Sequence, residues 1–297
     1  MQRKQRLRRG SNWHGYLFLV VPLMIYSVFF ITPNVLALVN SLFKWDGISP
    51  VKEFVGLRNF STMLADRVFK KAFWNTIKYC ITLLIFQTLI GLILALLLQK
   101  STRINNLFRT VYFMPVMMSS VTVGLIWSFI YDPNIGALNE FLRAVGLTKL
   151  THSWLSEEQL VIYSIAFVHV WVGIGQSVVL FVAGLQSIPS DLYESAALDG
   201  ATKWAQTWQI TLPLLKPTTL VVLVLTTIGA FKSFDYVYIM TGGGATHSSE
   251  VLATLLYKEA YAYSDFGYSS ALSAALLLIV TILTFVQMRV FSEKEDG

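Results

Sequence analysis

The sequence predicts an all-α, polytopic membrane protein with about six transmembrane helices. Composition is the first sign: of 297 residues, 55% are hydrophobic and only 13% charged, with a mean hydropathy of +0.58. Soluble domains do not look like this. The second sign is six apolar runs, nearly free of charge, at about 16–39, 79–98, 110–131, 160–186, 214–237 and 268–288. Each is long enough to cross about 30 Å of hydrocarbon as a helix. The third is a basic start, with five Lys/Arg in the first ten residues. A nucleic-acid arm is the alternative, but a tail beside an apolar run fits the positive-inside rule better. No nucleic-acid partner is therefore expected.

The first run contains Pro22 and Pro33 and should be kinked. It is too long for a secretory signal and lacks a small-x-small cleavage site. Six spans put both termini on one side. With the tail inside, cytoplasmic segments hold 12 of the 23 Lys/Arg, and the external stretch 44–71 holds six. The dense tail is the better guide, so both termini are taken as cytoplasmic. The organisation is then a tail (1–15), a transmembrane domain (16–290) with a cytoplasmic loop at 187–213, and a second tail (291–297). The single cysteine, Cys80, excludes a disulfide framework within the chain and reads as a packing residue.

The loop SIPSDLYESAALDGATKWAQTWQITLPLLKP, residues 187–217, is the most polar stretch of its length in the second half. Ser190 reads as an N-cap, with Asp191 and Glu194 in the first turns, where the helix dipole favours negative charge. Gly200 is a natural stop, and Pro213 and Pro217 mark the start of the next apolar run.

Glu194, Ser195 and Ala196 are followed by Gly200, then nine residues, then Ile210, Thr211, Leu212 and Pro213. This pattern resembles the cytoplasmic loop of binding-protein-dependent ABC importer permeases, with Ser195 where Ala is usual. Asp199 and Ala201 complete the D-G-A form of the carbohydrate-importing branch. The resemblance extends to FVGLRNF (54–60), FRTVYFMP (108–115), DPNIGALN (132–139), TGGGATHSSE (241–250, Ala245 in place of Pro) and DFGYSSALS (265–273). It implies the type I importer transmembrane fold in a bacterial cytoplasmic (inner) membrane. The implied partners are a second permease subunit, two ATPase subunits that bind ATP and Mg, an extracytoplasmic solute-binding protein, a carbohydrate and membrane lipid. Asp191, Glu194, Ser195, Ala196, Asp199, Gly200, Ala201, Ile210, Leu212 and Pro213 would couple the chain to the ATPases.

No cofactor is expected on this chain itself. A Walker A run is absent from the sequence, and the four histidines (His14, His152, His169, His247) lie on different segments. Neither a nucleophile–base arrangement nor paired carboxylates within a span can be read, so catalysis is not expected. Gly242, Gly243 and Gly244 read as a flexible external turn. A run from Phe60 to Phe73 reads as an interfacial helix with Arg67, Lys70 and Lys71 facing headgroups.

Polar residues inside spans are costly in lipid and usually face a cavity or a partner helix. His169, Gly173 and Gln176 fall on one helical face, with Trp171 nearby. Hydrogen-bonding groups beside an aromatic ring suit a sugar; hydrogen bonding to a neighbouring helix is the alternative. Maltose-type permeases line their sugar site with this region. In the fifth span Thr226 and Ser233 could meet solute hydroxyls. Lys232 and Asp235 either pair with each other or place a charge in the cavity. Pairing favours a neutral sugar. A secondary transporter would show repeated halves, and a membrane enzyme would cluster ionisable groups at one depth; neither is found.

Overall fold

The computed structural model describes residues 13–100 and 102–292, so the basic run at 1–10 and Lys294 lie outside the described residues. The architecture is a bundle of long helices. Helix α1 (Trp13–Tyr26) continues through one π-helical turn, Ser27–Ile31, into α2 (Thr32–Asn40). The kink expected from Pro22 and Pro33 takes the form of this π turn, which lets the chain pass a proline without breaking. Thr32 helps, its hydroxyl donating to the Ser27 carbonyl at 2.9 Å. Phe18–Asn40 is one apolar span with no buried residue and most of its length exposed.

A two-stranded antiparallel ribbon follows, β1 (Phe43–Lys44) with β2 (Glu53–Phe54), Phe43 opposite Phe54. Then come α3 (Arg58–Ala65) and α4 (Arg67–Leu98), the longest helix. The run from Phe60 to Phe73 is therefore not one interfacial helix. Asp66, extended, caps α4 through the Val68 amide at 2.8 Å, and that cap divides the run in two.

Helix α5 (Arg103–Phe113) and α6 (Ser120–Ile130) meet at 98°. One straight span was expected at 110–131. Pro115 lacks a donor, a 3-10 turn covers Met114–Met117, and Met118 and Ser119 are extended, so the chain turns sharply. Helix α7 (Ala137–Ala144) precedes α8 (Val161–Gln186), which matches the expected fourth span closely.

Helix α9 (Ser190–Leu198) lies in the predicted loop. Next α10 (Lys203–Gln206) runs through a π turn, Thr207–Thr211, into α11 (Leu212–Leu214). This rod meets α12 (Lys216–Phe231) at 61°. The fifth span stops early: Lys232 ends α12, and α13 (Asp235–Thr241) starts after a break. Helix α14 (Leu252–Tyr261) and α15 (Phe266–Ser292) complete the chain. Among the described residues four helices are long and apolar enough to cross a membrane, and six if each bent pair is one span.

Helix α4 packs along α8, with α12 against both and α15 behind α12; α2 leans on α15. Two apolar cores result. One, around Tyr79, Leu83, Ile165, Phe231 and Leu255, joins α4, α8, α12 and α14. The other, around Ala95, Phe181, Leu185 and Leu215, lies toward α9. Between them the same helices become polar.

Candidate functional site

That polar level holds a cavity of about 80 Å³ among α4, α8 and α12. His169, Gly173, Gln176 and Thr226 line it, as do Gln87, Ser177 and Gly229. The spacing of 169, 173 and 176 puts them on one face of α8, and the face points inward.

Gln87 of α4 organises the cavity. Its amide donates to the His169 carbonyl at 3.2 Å and its Oε1 accepts from the Thr226 hydroxyl at 3.2 Å. Gly173 makes this possible, because a Cβ there would lie 2.1 Å from Gln87 Nε2. Gln87 is a site residue that no motif in the sequence marks. A lone amide in the apolar stretch 79–98 was the available signal.

His169 is engaged by its own bundle. Its Nδ1 lies 2.9 Å from the Tyr79 hydroxyl, which also meets the Ser233 hydroxyl at 2.9 Å. His169 thus makes the helix-to-helix hydrogen bond weighed as its alternative, while it still lines the cavity. Gln176 is exposed, and among the described residues it forms no hydrogen bond. Trp171, two residues beyond His169, points elsewhere. It packs edge-on against Trp127 at 5.7 Å and does not line the cavity.

Lys232 and Asp235 do not form the pairing weighed above. Asp235 accepts from the Ser120 hydroxyl at 2.7 Å, and no ion pair involves Lys232 among the described residues. The broken helix explains it: three non-helical residues remove the one-turn spacing that pairing requires. Lys232 is exposed, three residues beyond the cavity-lining Gly229, and does not itself line the cavity.

At the far end of α8, helix α9 projects with Asp191, Glu194, Ser195, Asp199 and Gly200 exposed. Ser190 is the first helical residue rather than the cap. Pro189 holds the cap position, and the Ser190 hydroxyl faces Asp191 at 3.4 Å. The C-terminus ends as expected. Gly200 sits at φ +82°, the Ala201 amide donates to Ala196 at 2.8 Å and the Gly200 amide to Ala197 at 3.1 Å. Tyr193 ties α9 to the next rod through the Thr211 hydroxyl at 3.0 Å. Ala196, Ala201, Ile210 and Leu212 are half-buried along this joint, and Pro213 is exposed. Leu198, Trp204 and Trp208 are 90%, 72% and 55% exposed. Three large apolar side chains thus stand in the open beside three exposed acidic ones, Asp191, Glu194 and Asp199, a patch of the kind that protein partners cover; no motif in the sequence marked Leu198, Trp204 or Trp208.

At the opposite end the three glycines do not form a flexible turn. Gly242, Gly243 and Gly244 all have positive φ, and Gly243 lies against the fully buried carboxylate of Glu250. A Cβ at Gly243 would lie 2.4 Å from Glu250 Oε2. Lys258 and His247 hold that oxygen at 2.5 and 3.0 Å, while the Asn75 amide donates to the Ser248 and Glu250 carbonyls at 3.0 Å each. The loop is clasped to α4.

Broken helices, a polar cavity midway through the bundle and an exposed helix at one end suit a subunit of a membrane transporter. The chain belongs to the family of binding-protein-dependent transport system inner membrane components, whose model matches residues 87–293. The Probable ABC transporter permease protein YurN of Bacillus subtilis (strain 168) is 40% identical, over 95% of this chain and 97% of its own. The multiple sugar-binding transport system permease protein MsmF of Streptococcus mutans is 30% identical, over 96% and 97%. A crystal structure of a bacterial ABC transporter involved in the import of the acidic polysaccharide alginate superposes with a TM-score of 0.83 at 21% identity, over 96% of this chain and 97% of that one. The fold is thus that of an ABC importer transmembrane component, and this chain is a multi-pass permease subunit of such an importer.

Proposed function

We propose that this permease forms half of a carbohydrate pathway, beside a second permease subunit, and works by alternating access. The observation that carries the substrate class is the cavity lining. Amides, hydroxyls and aliphatic groups meet there, without a Lys, Arg, Asp or Glu. Such a lining suits the hydroxyls of a neutral sugar, and MsmF, a sugar permease by name, is a relative over nearly the whole chain. Gln176, exposed and without a partner among the described residues, supplies donor and acceptor to the solute, and Thr226 assists. Gln87 holds the wall.

Two ATPase subunits receive α9 and the Trp204–Trp208 rod, and hydrolysis belongs to them. Both termini are cytoplasmic, which puts the 241–250 clasp outside, facing a solute-binding protein. A near-complete switch between two gate states needs about 5.5 kcal/mol of differential binding, within reach of nucleotide-driven closure. In this reading the stretch 16–290 is the transmembrane domain, and 1–15 and 291–297 are cytoplasmic tails. Uptake of a labelled carbohydrate panel by the reconstituted complex tests the reading. Uptake of a neutral sugar that requires ATP, ATPase subunits and binding protein supports it; transport driven by an ion gradient without an ATPase contradicts it.

A further inference from the structure

Helix α4 carries an exposed stripe that nothing among the described residues covers. Ile81, Ile85, Leu89, Ile93 and Leu97 recur every fourth residue and are 47–70% exposed. They run for about 24 Å along the helix at 1.5 Å per residue, close to the depth of a hydrocarbon core. The same stripe continues to the clasp end as Lys78, Trp74 and Lys70, all exposed.

Those three residues edge a groove of about 330 Å³, which Lys71, Asn75, Glu158 and Ser248 complete. Several of its polar groups are occupied. Lys71 binds the Glu158 carboxylate and the Thr246 carbonyl, and the Asn75 amide holds the clasp. Lys71 therefore does not face headgroups, as the sequence had suggested. The ammonium groups of Lys70 and Lys78 form no ion pair among the described residues, and the Trp74 indole N–H donates to none of them. Three lysines oppose one glutamate in the groove.

We infer that this groove binds an anionic phospholipid. Its phosphate sits among Lys70, Trp74 and Lys78, and an acyl chain lies along the Ile81–Leu97 stripe. The chemistry is that of a membrane interface, where an indole and snorkelling lysines meet headgroups while aliphatic side chains meet lipid tails. An apolar protein face laid over the groove would strip water from two ammonium groups and give them no counter-charge; a lipid phosphodiester supplies one. The inference takes the bundle as membrane-spanning, and only the assignment to the outer leaflet depends on the proposed orientation.

The test uses the assembled transporter in nanodiscs of dioleoylphosphatidylcholine doped with dioleoylphosphatidylglycerol. After mild detergent extraction, retained lipid is counted by native mass spectrometry. The parent should keep phosphatidylglycerol several-fold above its mole fraction. Lys70→Gln with Lys78→Gln should lose that excess, and Lys70→Arg with Lys78→Arg should keep it. Equal retention of the two lipids, an unchanged excess in the glutamine variant, or displacement by free glycerol phosphate would overturn the inference. The last outcome would mark a free-anion site and the first a face covered by protein. The lipid count does not depend on uptake, so it stands or falls apart from the proposed transport function.

Discussion

The hydroxyl of Tyr79 and Nδ1 of His169 lie 2.9 Å apart, bridging α4 and α8 inside the bundle. His169 therefore spends its ring on the fold. His169→Leu should lower the thermal unfolding temperature of the purified complex, in line with a buried partner lost at about 1–3 kcal/mol. Normal stability with abolished uptake would return His169 to the solute.

The docking helix makes a separable prediction. Gly200 has φ +82° with open space around its Cβ direction, so Gly200→Val strains only the local backbone, by about 1–2 kcal/mol. Glu194 is exposed at the same surface. Both Gly200→Val and Glu194→Ala should leave the membrane fold intact while uptake and substrate-stimulated ATP hydrolysis fall out of step. Parent-like values for both activities in both variants would contradict the coupling role.

Lys232 tests the substrate class. It lies outside the cavity lining and has no ion-pair partner among the described residues. Lys232→Met should leave uptake of the neutral sugar within about two-fold, the order of effect of a weak surface charge. Uptake confined to uronates or sugar phosphates, and abolished by this change, would show the substrate to be anionic.

The clasp end carries a pH dependence. Burial, then the charges of Asp265, Asp66 and Glu250, push the half-buried Glu259 carboxyl up to about 7, with His247 opposing. Between the ordinary carboxylate range and about pH 7 the folded state binds more protons than the unfolded state. Stability therefore falls as pH rises through that window and stays lower above it. The unfolding temperature should drop between pH 5 and pH 8, and Glu259→Gln should flatten that drop. An identical drop in the variant would place the effect elsewhere.

How much of this was legible depended on whether an apolar run hides a break. The fourth span was read nearly to the residue and the sixth to within four, because α8 and α15 lack interior prolines and carry no charge before Arg289 in the last turn of α15. The third and fifth runs looked just as continuous. Yet Met118–Ser119 and Lys232–Phe234 leave the helix, and only Pro115 and Lys232 hinted at it. Periodicity brought His169, Gly173 and Gln176 to one face. It could not show that Tyr79, three spans' worth of sequence away from Ser233, would claim both His169 and Ser233. The glycine run likewise read as slack because its partner, Glu250, becomes buried only once α14 packs.

The central claim is that solute is held at the exposed amide of Gln176. Gln176→Leu keeps the bulk and removes donor and acceptor, at about 1–3 kcal/mol per lost contact. The decisive measurement is the concentration dependence of sugar uptake by the reconstituted complex carrying this change, alongside its basal ATPase rate. We predict uptake roughly ten-fold or more lower at limiting sugar, with assembly and basal ATP hydrolysis preserved. Uptake equal to the parent at every sugar concentration, or a loss explained wholly by failed assembly, would contradict it.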